Sequence, residues 1–252
     1  MLKAWSKESD MASNRTAIVT GAQQGIGAGL VDGFLESGYS VVATSLRASE
    51  SLRSTSDLVV VDGDIRDRET AAKSVEAAVM HFGAVDVLVN NAGIYITKPF
   101  TEFTTDDFNA LVSVNLLGFF HMTQLAVNQM LKQGSGCVIT ISAALADNPI
   151  AGVNGSVSMI TKGGLNTVTR HLAIEYAKQG IRFNVVAPGV VDTPLHKENH
   201  KEDLQTLQPM GSIAEVRDIV DAVLYLSNAR QVTGEVLHVD GGAHVGCWKR
   251  GK

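Results

Sequence analysis

Short apolar, β-branched runs alternate with longer helical patterns along nearly the whole chain. Most of these runs are continuously apolar, as is typical of parallel strands covered on both faces. We predict seven strands, at Thr16–Thr20, Ser40–Thr44, Leu58–Asp62, Val85–Val89, Cys137–Ile141, Ile181–Ala187 and Glu235–Val239. The helical patterns lie near 25–37, 68–82, 104–133, 155–179 and 213–228, and the connection 46–57 should contain little helix. Repeated βα units of this kind predict an α/β fold with one doubly wound, seven-stranded parallel sheet.

The chain is organised as one domain. No repeat, linker or break in composition occurs between 15 and 245, so we take this range as the domain, with a disordered extension at 1–14 and a short tail at 246–252. Residues 193–212, called the lid below, form a polar insertion after the sixth strand. We expect the lid to cover the carboxyl edge of the sheet, and a solvated surface loop is the alternative.

Composition excludes several classes of protein. Of the 252 residues, 45% are hydrophobic and 19% charged, which suits a large core. The net charge of −5 argues against nucleic acid as a partner. Cys137 and Cys247 cannot form a disulfide framework or a CxxC metal site, so no metal is expected. Apolar runs are shorter than the ~20 residues of a membrane span, and 1–14 lacks the apolar core of a signal peptide. We therefore predict a cytoplasmic protein without a membrane segment.

The turn after the first strand is rich in glycine. Thr20–Gly27 reads TGAQQGIG and leads directly into a helix. Glycines at a strand-to-helix turn let the backbone approach a pyrophosphate, which the helix N-terminus then stabilises. The fold class is therefore predicted as a single doubly wound Rossmann-type domain.

Other polar segments follow later strands. Asn90–Gly93 (NNAG) follows the fourth strand, Asp64-Ile65 the third, and Pro188-Gly189 with Thr193 the sixth. Because parallel strands end at the same edge of a sheet, all of these should line one crevice.

This set of motifs resembles the short-chain dehydrogenase/reductase family over residues 15–245. TGxxxGxG, NNAG, Asn115 in a long helix and the closing Thr233-Gly234 and Val239–Gly242 all match. The resemblance implies a nicotinamide dinucleotide held by Gly21, Gln24, Gly25, Ile26, Gly27, Ser45, Arg47, Asp64, Ile65, Asn90, Ala92, Gly93, Lys162, Pro188, Gly189 and Thr193. It also implies a homo-oligomer, a tetramer, formed through the helices at 104–133 and 155–179.

The choice between NAD and NADP depends on the end of the second strand. Relatives that use NAD carry an acidic residue where this chain has Ser45, and Arg47 could pair with the 2′-phosphate of NADP. Gln23 and Gln24 are not the basic residues that NADP-preferring relatives often carry there, and Arg47 could be a solvated surface charge. We lean weakly to NADP.

The family's reaction centre is only partly present. It consists of Ser, Tyr and Lys, with Y-x-x-x-K spacing, and a helical Asn. Lys162 and Asn115 match, but the position four residues before Lys162 holds Ser158. A serine hydroxyl is shorter and far less acidic than a phenol of pKa ~10. Losing a positioned acid costs about 10²–10⁴ in rate, so Ser158→Tyr should restore activity if serine merely leaves space.

The family's serine is equally doubtful, because it aligns with Ala143 and Ser142 lies one residue early. Tyr95, which follows NNAG, is an alternative proton donor, or a packed loop residue. His196 in the lid is another, and with His200 it forms an i,i+4 pair that lacks a third metal ligand.

Two functions stay open at this point. The first is an NAD(P)-dependent oxidoreductase acting on a small carbonyl or alcohol substrate with an atypical proton donor. The alternative is a nucleotide-binding protein that has lost catalysis and serves as a sensor or assembly subunit.

Overall fold

The structure, a computed structural model, describes residues 15–197 and 199–246. Within them one parallel sheet contains β1 (Thr16–Thr20), β2 (Ser40–Ser45), β3 (Leu58–Asp62), β4 (Val87–Asn90), β5 (Gly136–Ile141), β6 (Ile181–Pro188) and β7 (Val236–Val239). The order is β3-β2-β1-β4-β5-β6-β7, which confirms the predicted doubly wound sheet. The extension at 1–14, the tail beyond residue 246 and Cys247 lie outside the described residues.

The fourth strand begins two residues later than predicted. The N–H of Val85 donates to Oε1 of Gln133 at 3.0 Å, and Nε2 of Gln133 donates to the carbonyl of Val85 at 2.9 Å. Val85 therefore pairs with a side-chain amide instead of a neighbouring strand.

The long helices lie where the apolar periodicity predicts them, and one of them is divided in two. The helices are α1 (Gly25–Glu36), α2 (Arg68–Phe82), α3 (Thr105–Leu111), α4 (Gly118–Gln133), α5 (Ser156–Tyr176), α6 (Lys201–Gln205) and α7 (Val216–Asn228). The helix predicted at 104–133 is divided by a π-helical segment, Val112–Leu117. The connection 46–57 holds one 3₁₀ turn, Ala48–Glu50, and α6 lies in the lid.

Helices cover both faces of the sheet. Ala17 and Val19 of β1 belong to an apolar cluster with α1 and α7, whereas Ile18 belongs to a second cluster with α2 and α4. Successive strand residues point to opposite faces, so a continuously apolar strand supplies both layers. All strands end at one edge, which is where the site is built.

The continuous helical stretch Thr105–Gln133 is long and apolar enough, by length and composition, to cross a membrane. Core helices of soluble proteins share this property. Met122, Ala126 and Met130 of this stretch are fully buried in the cluster that covers the sheet. The expectation that apolar runs are all strand-sized missed the stretch because polar residues interrupt it in sequence.

Candidate active site

The glycine turn after β1 is packed too closely to accept side chains at two positions. A Cβ on Gly27 would lie 2.0 Å from the carbonyl oxygen of Gly21, and a Cβ on Gly21, whose φ is +66°, would lie 2.9 Å from Cα of Ala92. Gly25 has φ +55°, and its Cβ position lies 3.5 Å from Cβ of Thr193 across the crevice. The turn thus presents bare backbone at the edge of the sheet.

Helix α1 begins at this turn without a side-chain cap. Gln24, the residue before it, is exposed and makes no capping hydrogen bond, and the first turn contains no acidic residue. Ile26 packs against the core. The N-terminal amides of α1 are therefore available to an anion, and the helix dipole favours a negative charge there.

The end of β4 is tied to the glycine turn by Asn91, which sequence analysis did not single out. Nδ2 of Asn91 donates to the carbonyls of Thr20 at 2.9 Å and Gly21 at 3.2 Å. The N–H of Ala92 donates to Oγ1 of Thr20 at 3.0 Å. The doubled asparagine of NNAG was the available signal, and its second member holds the two turns together.

Asn90 lies in the sheet below this turn. It is buried, and its Nδ2 donates to Oγ1 of Thr123 at 2.9 Å. It also lines a cavity of about 10 Å³ with Asn115 and Thr140. The Thr140 hydroxyl has no hydrogen-bond partner among the described residues, and a polar cavity of this size holds about one water.

The last residue of β2 is Ser45 and not an acidic residue, but two carboxylates from other positions lie near this strand end. Arg47 is exposed and pairs with Glu50 at 3.4 Å. Asp62, opposite Ser45 in the strand register, accepts hydrogen bonds from the N–H of Ser49 at 2.9 Å and from its hydroxyl. These bonds hold the pKa of Asp62 below its usual range. Only the pairing of β2 with β3 brings Asp62 beside Ser45.

Asp64 and Ile65 follow β3 into the crevice. Asp64 accepts from Nη2 of Arg66 at 2.6 Å and from its N–H at 2.9 Å, and these bonds lower the pKa of Asp64. Ile65 packs on Gly118, where a Cβ would lie 2.9 Å from Cγ2 of Ile65.

The segment after β6 closes the crevice from the opposite side. Pro188 ends the strand, and Gly189 follows so close to β7 that its Cβ would lie 2.8 Å from Cα of Asp240. Thr193 begins a 3₁₀ turn, Pro194–His196, and faces Gly25.

Asn115 lies in the π-helical segment and is 2% exposed. Its Oδ1 accepts from the N–H of Ile94 at 2.8 Å, and its Nδ2 donates to the Ile94 carbonyl at 3.0 Å and to Oγ1 of Thr161 at 2.9 Å. The side chain therefore fixes the turn that follows NNAG.

Lys162 is buried beside this turn. Its Nζ donates to the carbonyl of Ile141 at 2.9 Å, and a Cβ on Gly93 would lie 3.2 Å from both Nζ and Oδ1 of Asn115. Burial lowers the pKa of Lys162 to about 8. The hydroxyl of Ser142 donates to the carbonyl of Lys162 at 3.2 Å, so it faces the backbone of α5.

Ser158 closes a loop. Its hydroxyl donates to the carbonyl of Ile96 at 2.8 Å and accepts from the N–H of Ile96 at 3.0 Å, and the residue is fully buried. The phenol of Tyr95 lies against Gly155 and has no hydrogen-bond partner among the described residues. Burial raises the pKa of Tyr95.

One ion pair connects the lid to the segment that precedes it. Lys201 and Asp192 form an exposed ion pair at 2.7 Å across its root. His196 is half-buried and His200 exposed. Across 15–197 and 199–246, no group of three or more metal-ligating side chains comes together.

A doubly wound parallel sheet whose glycine turn and uncapped helix meet at its carboxyl edge defines a dinucleotide-binding Rossmann-type domain. Residues 21–244 match the family described as enoyl-(acyl carrier protein) reductase. The chain is 34% identical over 266 residues to a tropinone reductase homolog of Arabidopsis thaliana, covering 98% of each chain. The protein belongs to the short-chain dehydrogenase/reductase family and is an oxidoreductase.

Solved structures agree with this assignment. ElxO with NADP bound superimposes with a TM-score of 0.85 at 28% identity, covering 92% of this chain and 100% of that one. A 3-ketoacyl-(acyl-carrier-protein) reductase from Brucella melitensis complexed with NADH gives a TM-score of 0.86 at 29% identity, covering 91% and 98%.

Proposed function

We propose that the protein transfers a hydride between a nicotinamide dinucleotide and a small carbonyl or alcohol substrate. The bare backbone of the glycine turn, continuous with the uncapped N-terminus of α1, is the observation that carries this proposal. Glycine backbone at a helix N-terminus allows a pyrophosphate to approach the amides closely, and the helix dipole stabilises its negative charge. The cofactor, NADP or NAD as in the two solved relatives, supplies or accepts the hydride when bound.

The residues of this chain bind the cofactor and orient it. Gly21, Gly25 and Gly27 frame the pyrophosphate, and Asp64, an ionised carboxylate already paired with Arg66, accepts from the adenine amino group through a remaining lone pair. Gly93 is exposed to the crevice above Lys162, on the ribose side.

Lys162 is a buried amine at the candidate site. A pKa near 8 instead of 10.5 means that folding destabilises the ammonium by about 3 kcal/mol at neutral pH. Packing alone gives no reason for a buried amine here, whereas binding of the cofactor and proton transfer both do.

Cofactor titration followed by a turnover screen tests the proposal. We expect micromolar binding of NADPH or NADH by fluorescence or calorimetry, and reduction of some ketones or oxidation of some secondary alcohols. Binding without turnover across the screen would favour the non-catalytic alternative. The absence of binding would contradict both.

The cofactor preference is proposed as NADP, with Arg47 as the group that meets the 2′-phosphate. Because Glu50 already pairs with Arg47, a phosphate must displace this carboxylate. We expect Arg47→Ala to raise the Kd of NADPH about tenfold and Glu50→Gln to lower it several-fold, with little change for NADH. Equal effects on the two cofactors in calorimetric titrations would reject the assignment.

We also propose a homo-oligomer, a tetramer, in the cytoplasm. Leu117 and Phe120 are 40% and 51% exposed, and Ile160 on α5 is 53% exposed, so these helices carry apolar surface that the sheet does not cover. Light scattering should give a multiple of 26.8 kDa, reduced by Phe120→Glu. Met80→Glu on α2, which is 74% exposed, serves as the control and should leave the mass unchanged. A monomeric wild type would contradict the proposal.

A further inference from the structure

Ser158, at the position of the family's tyrosine, has a hydroxyl that already donates one hydrogen bond and accepts another. Ser158 is 0% exposed, gives its proton to the Ile96 carbonyl and accepts from the Ile96 N–H. A substrate carbonyl would reach this hydroxyl only if the loop 94–98 moved away from α5. Ser158 is therefore a positioning residue for that loop.

The phenol of Tyr95 is equally withdrawn. Its oxygen is buried against Gly155, and the neighbouring Thr97 hydroxyl donates to the carbonyl of Asn154 at 3.1 Å instead of to the phenol. Removing a proton here would leave a phenolate oxygen shielded from water, and this is why burial raises the pKa of Tyr95.

Two other groups face elsewhere. The Ser142 hydroxyl donates to the backbone of α5, and the residue is 6% exposed. His196 lies in the lid, on the 3₁₀ turn whose N–H bonds return to Thr193 and Pro194. The Ser142 hydroxyl is therefore engaged with α5, and His196 belongs to the lid instead of the strands that form the floor of the crevice.

The ammonium of Lys162 has N–H groups that the described hydrogen bonds do not use. An ammonium has three donors, and the described contacts of Nζ use one of them, on Ile141. The groups packed toward it from β5, from the turn after β4 and from the π-helical segment are Ile141, Gly93 and Asn115, and none of these titrates or carries a charge. Gly93 is exposed, and a Cβ on it would lie 3.2 Å from Nζ, so the ammonium lies directly behind the exposed backbone of Gly93.

We propose that Lys162 is itself the proton donor, giving a proton to the carbonyl oxygen of the substrate, a role that rests on the proposed function. In reduction, the carbonyl carbon would gain its new C–H bond from the hydride that a bound reduced nicotinamide would supply, and the C=O π bond would break. One N–H bond of Lys162 breaks as the O–H bond forms. The products are the alcohol, the oxidised nicotinamide and a neutral amine, which regains its proton from solvent.

The pH dependence follows from the direction of transfer. Reduction needs the ammonium, so its rate should fall as the pH rises through about 8, the pKa that burial gives Lys162. Oxidation of the alcohol needs the neutral amine and should rise over the same range. In Lys162→Arg the charge is kept, but a guanidinium holds its proton beyond pH 12. We expect this variant to reduce ketones about 10²–10⁴-fold more slowly. Its pH–rate profile should also lack the falling limb, the decrease in rate near pH 8.

Chemical rescue separates proton transfer from a structural role. With Lys162→Ala saturated with cofactor, added primary amines should restore reduction, and the falling limb should move with the pKa of the amine used, for example from ethylamine to 2-fluoroethylamine. A purely structural lysine would give no rescue, or a limb that does not move.

A readout without turnover is available from ¹³Cε NMR of the lysine-labelled protein alone. A resonance that is missing in Lys162→Arg should titrate near pH 8, well below ordinary lysines. A midpoint above 10 would overturn the proposal, as would a Lys162→Arg variant that keeps both its rate and its limb, and either result leaves the proposed function intact. If the wild type binds cofactor but reduces no ketone, the proposed function fails and this role fails with it, whatever the NMR midpoint.

Discussion

Replacing Gly27 with alanine is expected to abolish cofactor binding and to lower the free energy of unfolding by about 3 kcal/mol or more, at the upper end of overpacking costs. The new Cβ would lie 2.0 Å from the carbonyl oxygen of Gly21 and 2.7 Å from Nδ2 of Asn91. The Gly21 oxygen is backbone, and Asn91 bonds to it, so neither atom moves aside cheaply. The turn must open, and the pyrophosphate site opens with it.

Gly163→Ala is the matched control. Gly163 lies inside α5, and a Cβ there meets nothing within 4 Å. Alanine in a helix interior is more stable than glycine by roughly 0.5–1 kcal/mol, so this variant should unfold at slightly higher urea concentration and bind cofactor normally. A Gly27→Ala protein that binds NADPH or NADH like the wild type would show that the turn accepts a Cβ at this position.

Replacing Ser158 with tyrosine is expected to destabilise the protein without restoring activity, opposite to the result that spacing alone suggests. Ser158 is fully buried and makes both of its hydrogen bonds to Ile96. A phenol ring must push the loop 94–98 away from α5 and strand the Ile96 amide. Overpacking and two lost hydrogen bonds together cost about 2–4 kcal/mol.

Ser158→Ala separates the two contributions. It removes the hydrogen bonds without adding volume and should cost about 1–2 kcal/mol in urea denaturation. The difference between the two variants then measures the overpacking. The opposite result would be a Ser158→Tyr protein that is as stable as the wild type and reduces ketones a hundredfold faster. It would mean that the loop 94–98 accommodates the ring and that a tyrosine at this position can act as the proton donor.

The parallel sheet was predictable because its signals are local. Apolar runs of strand length, the 3.6-residue periodicity of the helices and the glycines of one turn are each contained within about twenty residues. The strand bounds follow them closely. The late start of β4 could not be predicted, since it depends on the amide of Gln133, 48 residues from Val85. The π-helical segment likewise has no signal of its own in the sequence.

The sequence by itself determined the fold and the family, and it named the candidate residues of the reaction centre. Only the tertiary structure decided which of these side chains are engaged by distant backbone groups. Ser158 meets the backbone of Ile96 across 62 residues, and Asp62 meets Ser45 only through the pairing of two strands. Strand and helix formation depends on neighbours in sequence, whereas a proton's availability depends on burial and on acceptors from distant segments.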